Sequence, residues 1–265
     1  MTDATTQQSF DARITPYDDV VDAYDLTILK EVGDWSQDDT GDIVRTKDGD
    51  PQHGDIAYNG LFRLVQMWRY SEPHLRHLFA TLYSTLTQRT VLDDALNAVG
   101  DRAHEDMMRG HGMPSGAFGA AFHDVLDRQA AAAFGAGIYA GSLMLMLSAI
   151  LLRLRDDMQG KEQWTAVGPF FNGHSVGAII ETGANGFRHA DEWAKTHPPK
   201  AQQKRSQDII EGALNGRPQP DEGSPGACAE LLAVLSGGSF EGLATNVFTF
   251  AHNLNVKCRK GPSGY

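Results

Sequence analysis

The chain has 265 residues, 41% apolar and 22% charged, a globular balance that excludes a disordered chain and allows a sizeable core in one or two units. A formal charge of −11 argues against general attraction to nucleic acid or to an anionic membrane, while leaving the sign of any single groove open. The two cysteines, Cys228 and Cys258, form no Cys-x-x-Cys pair, which excludes a cysteine-based zinc module and suits a reducing compartment.

Met1–Asp22 is polar and acidic, with no basic region leading into an apolar one. No secretory signal is read there, and the cytoplasm is the expected location. A short helix is expected across Asp18–Val32. Asp34–Asp55 is rich in aspartate and glycine and reads as a solvated acidic loop. Asp38, Asp42 and Asp48 lack the alternating ligand spacing and terminal glutamate of an EF-hand. Residues 1–55 are therefore expected to form a poorly regular N-terminal segment.

Helical periodicity then takes over. Leu61, Leu64, Val65 and Trp68 recur at i, i+3, i+4 and i+7. Ser71-Glu72-Pro73 is expected to stop that helix and start another carrying Leu75, Leu78, Phe79, Leu82 and Leu86. A third segment, Val91 to Val99, is expected to end at Gly100. Arg109–Gly116 is a breaker cluster and reads as a loop.

A long helix is expected over Ala117–Met158, with a break allowed at the glycines between 135 and 141. Within it Ala130–Leu152 carries no charge and is long enough to span a membrane, and it contains Gly137-x-x-x-Gly141. Its first half is Ala and Gly, and its flanks carry mixed charge. The reading taken is the buried centre of a soluble bundle, without membrane contact. Its small residues should let a neighbouring helix approach closely, with Val176, Ile180, Phe187 and Ala190 on or near it.

After Gly168-Pro169 a helix is expected over Asn172–Lys195, ended by His197-Pro198-Pro199. A short surface helix follows at Ala201–Leu214, then a linker at 216–226 and two last helices at Ala227–Leu235 and Phe240–Asn255. No stretch alternates long enough for a strand. The expected class is all-α: a helical bundle around a long central apolar helix, with a core domain at 56–215 and C-terminal helices (227–265) packing on it.

On a wheel of 100° per residue, Asn172–Lys195 separates into two sides. Val176, Ile179, Ile180, Gly183, Phe187, Ala190 and Ala194 form the apolar one. Glu181, Asn185, Arg188 and Glu192 form the polar one, with His189 and Trp193 on its flank. Asn185 and His189 are helical neighbours at i, i+4. Arg188 is spaced to reach Glu181 or Glu192. The plain alternative is a solvated face with ordinary salt pairs.

The string Glu181-Thr-Gly-Ala-Asn185-Gly-Phe-Arg188-His189-Ala-Asp-Glu192-Trp193 resembles the active-site segment of the HEPN superfamily, helical domains of toxin–antitoxin, abortive-infection and RNA-cleaving systems. Asn185, three residues and His189 match its Asn-x-x-x-His, while Ala184 stands where the family has arginine. The resemblance covers about a dozen residues. It implies binding or metal-independent cleavage of RNA or a nucleotide, a homodimer pairing two motifs, and an antitoxin-like or nucleotidyltransferase partner. His189, as an imidazole that can both give and take a proton, would move the proton; Asn185 would orient the scissile group and Arg188 would stand in for the missing arginine. Glu181, Glu192 and Arg69, the last approaching from another helix, complete the expected substrate contacts.

Two other classes stay open: a non-catalytic helical scaffold, and a bundle enzyme or receptor with an apolar or haem pocket. His74, His77, His104 and His111 with Glu72, Glu105 and Asp106 lack the Glu-x-x-His pairs of metal bundles, so no metal or other cofactor is expected. No phosphate loop, nucleophile elbow or zinc-protease helix occurs.

Overall fold

The apolar stripe that begins at Leu61 does not stop at Pro73. The computed structural model describes residues 13–30, 40, 42–51, 56–110, 116–196, 198–215 and 227–259. Asp38, His111, His197, the 216–226 linker and the side chain of Ala194 lie outside the described residues. A short helix α1 (Tyr17–Ala23) and a 3-10 turn (Thr27–Lys30) lead to α2, one helix from Ile56 to Met108 with Pro73 inside it. The breaks expected at Ser71-Glu72-Pro73 and at Gly100 are therefore absent.

A proline in mid-helix costs roughly 3 kcal/mol through its missing donor and its ring. Trp68, Leu75 and Leu82 on the same stripe are fully buried, each contributing roughly 1.5–3 kcal/mol, so the stripe outweighs the proline. Glu72, expected as a first-turn acid, is instead a buried anchor. It accepts hydrogen bonds from Thr15 Oγ1 at 2.8 Å and Arg76 Nε at 2.9 Å, and Arg76 also reaches Glu241 at 2.7 Å.

The second long helix, α3 (Gly116–Asp157), runs antiparallel to α2 and is unbroken through Gly135–Gly141. Gly60 of α2 lies against Met158 just beyond the end of α3, and Gly135 of α3 lies near Thr85. Around this pair pack α4 (Val176–Arg188), α7 (Cys228–Ser236) and α8 (Phe240–Arg259). The class is all-α, as expected, and the long apolar helix packs against the others. Its burial is one-sided, however: Leu143, Met144, Leu147 and Leu151 are inside, while Phe134 and Ile138 are 60% and 37% exposed. Trp68 meets Phe248 edge-on at 5.0 Å between ring centroids, and Phe240 bridges Trp68 and Phe79.

Buried side chains on α2 end at Leu82, and those described on α3 begin at Ala132. Beyond them the two helices continue as an arm, tied by Gln129 Nε2 donating to Asp93 Oδ1 at 2.7 Å.

Between α3 and α4 stands a small hairpin, β1 (Phe170–Phe171) and β2 (His174–Ser175), where no strand was expected. Asn172 and Gly173 both have positive φ, 49° and 86°, the geometry for which Asn-Gly is suited. The helix expected from Asn172 thus starts at Val176. Ser175 caps it, accepting from the Ala178 amide at 3.2 Å while donating to Trp164 O at 2.8 Å. The chain turns at His189, so the single helix expected to Lys195 becomes α4 and a short α5 (Ala190–Lys195). Helix α6 (Ala201–Ala213) then returns beside α4.

Candidate functional site: the groove between α4 and α6

The apolar side of α4 fixes where its polar side points. Phe187 lies flat on Gly141 of α3; a Cβ at Gly141 would sit 2.1 Å from the ring. Gly183 meets Met144 and Leu231 in the same way. With Val176, Ile179 and Ile180 fully buried, the opposite edge of α4 is left to face α6.

The hairpin holds α6 at its distance. Asn172 Nδ2 donates to Ala213 O at 2.6 Å, and the His174 ring lies against Gly212, where a Cβ would come within 2.3 Å of Nε2. The result is a groove of two adjoining clefts of about 200 and 330 Å³, which share Asn185, Gln202 and Ser206.

The first cleft is lined by polar groups of hydrogen-bonding rather than purely charged type: His189, Thr196, Gln202, Gln203 and Lys200, with the Trp193 ring beside them. His189 Nδ1 lies 3.2 Å from Glu192 Oε2, so the carboxylate fixes the imidazole's orientation and leaves Nε2 to other partners. The backbone of His189 (φ −112°, ψ 17°) still accepts from the Glu192 and Trp193 amides, which keeps the turn tight.

The second cleft carries Arg155, Lys161 and Arg205 around Glu181. Glu181 is already engaged: Arg155 donates to Oε1 at 3.2 Å and Trp164 Nε1 to Oε2 at 2.8 Å. Arg155 also stands over the Trp164 ring, 5.4 Å from its centroid. The acid is thereby neutralised, and Lys161 and Arg205 set the local sign. A cationic groove on a chain of net charge −11 is a local reversal of the molecule's field.

Of the residues singled out from the sequence, Asn185, His189, Glu181 and Glu192 meet in this groove. Arg188 is exposed and donates to Asn185 Oδ1 at 3.4 Å, while Glu181 pairs with Arg155 and Trp164 and Glu192 with His189. Ala184, at the family's arginine position, is fully buried. Arg69 does not line the groove; it lies on α2, its Nε donating to Thr15 O at 3.0 Å.

Sequence reasoning missed the whole opposite wall. Helix α6 was expected to be a plain surface helix, yet it supplies Gln202, Gln203, Arg205 and Ser206. The legible signal was the Asn-Gly pair after two phenylalanines, a hairpin mark that would have brought the chain back toward α4.

Among the described residues no three His, Cys, Asp or Glu side chains come together to hold a metal. Asp48, weighed as a calcium ligand, instead takes Arg63 at 2.8 Å and Arg153 at 2.6 Å. No family model, curated protein or solved structure matches the chain. Fold and site together define an all-α bundle with a polar, locally cationic groove, and the reading of that groove rests on its own residues.

Proposed function

We propose that the α4–α6 groove binds single-stranded RNA or a nucleotide, with His189 as its proton-moving group. The observation that carries this reading is the joining, in one groove, of an amide- and hydroxyl-lined cleft beside Trp193 to a cleft of lysine and arginine. Base edges present donors and acceptors that suit Gln202, Gln203 and Asn185. A base face suits the Trp193 ring, and phosphate suits Lys161, Lys200 and Arg205.

The reaction the groove would support is transesterification. The substrate's 2′-oxygen forms a bond to phosphorus, and its proton passes to His189 Nε2. The bond from phosphorus to the 5′-oxygen breaks, and that oxygen takes a proton from water. A 2′,3′-cyclic phosphate and a 5′-hydroxyl result, with Lys200, which lines the same cleft as His189, available to steady the developing charge. The HEPN resemblance would place such an activity in a toxin–antitoxin or phage-defence setting.

Fluorescence anisotropy with a labelled single-stranded RNA tests the reading. Binding should weaken steeply between 50 and 200 mM salt and fall about tenfold or more in Lys200→Ala/Arg205→Ala. His189→Ala should keep binding and lose the cyclic-phosphate product. RNA binding that is absent, or indifferent to both the salt and the double substitution, would refute the proposal. Growth arrest on expression that disappears with His189→Ala would support the toxin setting; equal growth of both strains would count against it.

A further inference from the structure

The two clefts of the α4–α6 groove are unlike, and their order along it gives the groove a direction. The first is walled by residues 185–196 on one side and 200–206 on the other, the second by 178–185 and 202–209. As the numbering falls along α4 it rises along α6, so the clefts lie in line, with Asn185, Gln202 and Ser206 at the junction. Asn185 and Glu181 stand one turn apart, about 6 Å along α4, the scale of a single sugar–phosphate repeat in an extended strand.

The group able to take a proton belongs to one end only. His189 lines the first cleft and not the second, and the Trp193 ring stands beside it. That ring rests against Gly186 of α4, where a Cβ would lie 3.5 Å from Cζ3. Positive charge belongs to the other end. In the second cleft Arg155, Lys161 and Arg205 stand against one acid, Glu181, which Arg155 holds at 3.2 Å. In the first, Lys200 stands against the exposed Glu192. A phosphate beyond the one being cleaved is therefore drawn to the second cleft.

Resting on the RNA-cleaving reading of this groove, we propose that it fixes the direction of the strand. The nucleotide 5′ of the broken bond sits in the first cleft, and the strand continues 3′ into the second. In transesterification the attacking 2′-oxygen belongs to the nucleotide on the 5′ side, so its ribose lies beside His189 and its base on Trp193. The departing 5′-oxygen belongs to the next nucleotide, which lies across the junction. The 3′-phosphate of that nucleotide then reaches Lys161 and Arg205, which read the strand downstream of the cut. A phosphate upstream of the cut meets no such pair and emerges beside Glu192.

Two adenosine hexamers, deoxy except for a single ribose, test the direction. One carries the ribose at its 5′ end, so that the whole extension lies downstream; the other carries it at the last position but one, so that the extension lies upstream. The first should give its cyclic phosphate about tenfold faster, and the preference should shrink as salt rises from about 50 to 200 mM. Lys161→Ala/Arg205→Ala should erase the preference, whereas Lys200→Ala should slow both oligomers and keep it. An all-ribose hexamer separates the two ways of failing. If it gives no cyclic phosphate, the RNA-cleaving reading falls and the direction with it. If it is cut while the two chimeras react equally, not at all, or faster with the upstream extension, the direction alone is overturned. A preference that survives Lys161→Ala/Arg205→Ala overturns it as well.

Discussion

The two halves of the α2–α3 pair have the same secondary structure and opposite reasons for it. In the body, Leu61–Leu82 of α2 and Ala132–Leu154 of α3 carry fully buried side chains with neighbours on several sides from α4, α7 and α8. In the arm, from about residue 84 to 108 and 119 to 131, the same two helices touch mainly each other, and Leu92, Leu96, Val99, Val125 and Leu126 remain only half-buried. Two helices cannot close a core by themselves. The body is held by packing, whereas the arm is held by continuity with the body, by helix propensity and by a single-layer seam.

Substitutions in the body should therefore cost several times more than matched ones in the arm. The largest effect is expected for Trp68→Ala, which empties the space between Phe240 and Phe248. A loss of about 3–5 kcal/mol is expected in urea unfolding. Gly141→Val comes next: the added side chain collides with Phe187 and forces α4 outward, at about 1–3 kcal/mol. It should also weaken the RNA binding proposed for the groove, because Asn185 and His189 ride on the same helix; unchanged binding would mean the groove does not depend on that seat. Leu96→Ala in the arm should cost about 1 kcal/mol or less. Hydrogen exchange sharpens the contrast, since arm amides should open without unfolding the body. An arm as slow to exchange as Leu61–Leu82 would break it.

The sequence made the apolar logic of the fold legible and hid part of its punctuation. The 3.6-residue stripes marked the length of α2 as helical but divided it into three segments, and the long α3 and the last two helices were expected. Phe187 was placed on or near the central helix because Gly and Ala there permit close approach, and it lies on Gly141. Pro73 misled because local helix breaking was weighed without the tertiary burial of Trp68, Leu75 and Leu82 that opposes it. The hairpin was lost because two-residue strands have no periodicity to read. Half of the groove was legible for a related reason. Asn185, His189 and Glu192 share one stretch of sequence, whereas Lys161, Arg205 and Gln203 join them only once Asn172 and His174 fix where α6 returns.

The smallest expected effect lies where the body end of the pair meets the acidic loop. Asp48 and Asp157 share Arg63 and Arg153, yet the same arginines leave them shifted in opposite directions. Hydrogen bonds from Arg63 and Arg153 hold the exposed Asp48 carboxyl below its usual range, while burial pushes Asp157 above it despite both cations. A depressed carboxylate adds stability above its unfolded pKa, and that stability is lost as pH falls through the folded value. A raised one does the reverse: the folded state binds the proton more tightly, so stability falls as pH rises from the unfolded value through the folded one. At neutral pH Asp157 therefore carries a net penalty, and Asp157→Asn should raise stability slightly, by under about 1 kcal/mol given partial solvent screening. The gain should vanish toward pH 3, where both side chains are neutral. Asp48→Asn should lower the melting temperature at pH 7 and converge with the parent at acid pH. Thermal melts of the three proteins from pH 3 to 7 decide it. A destabilised Asp157→Asn at pH 7 would show that the two arginines outweigh burial there.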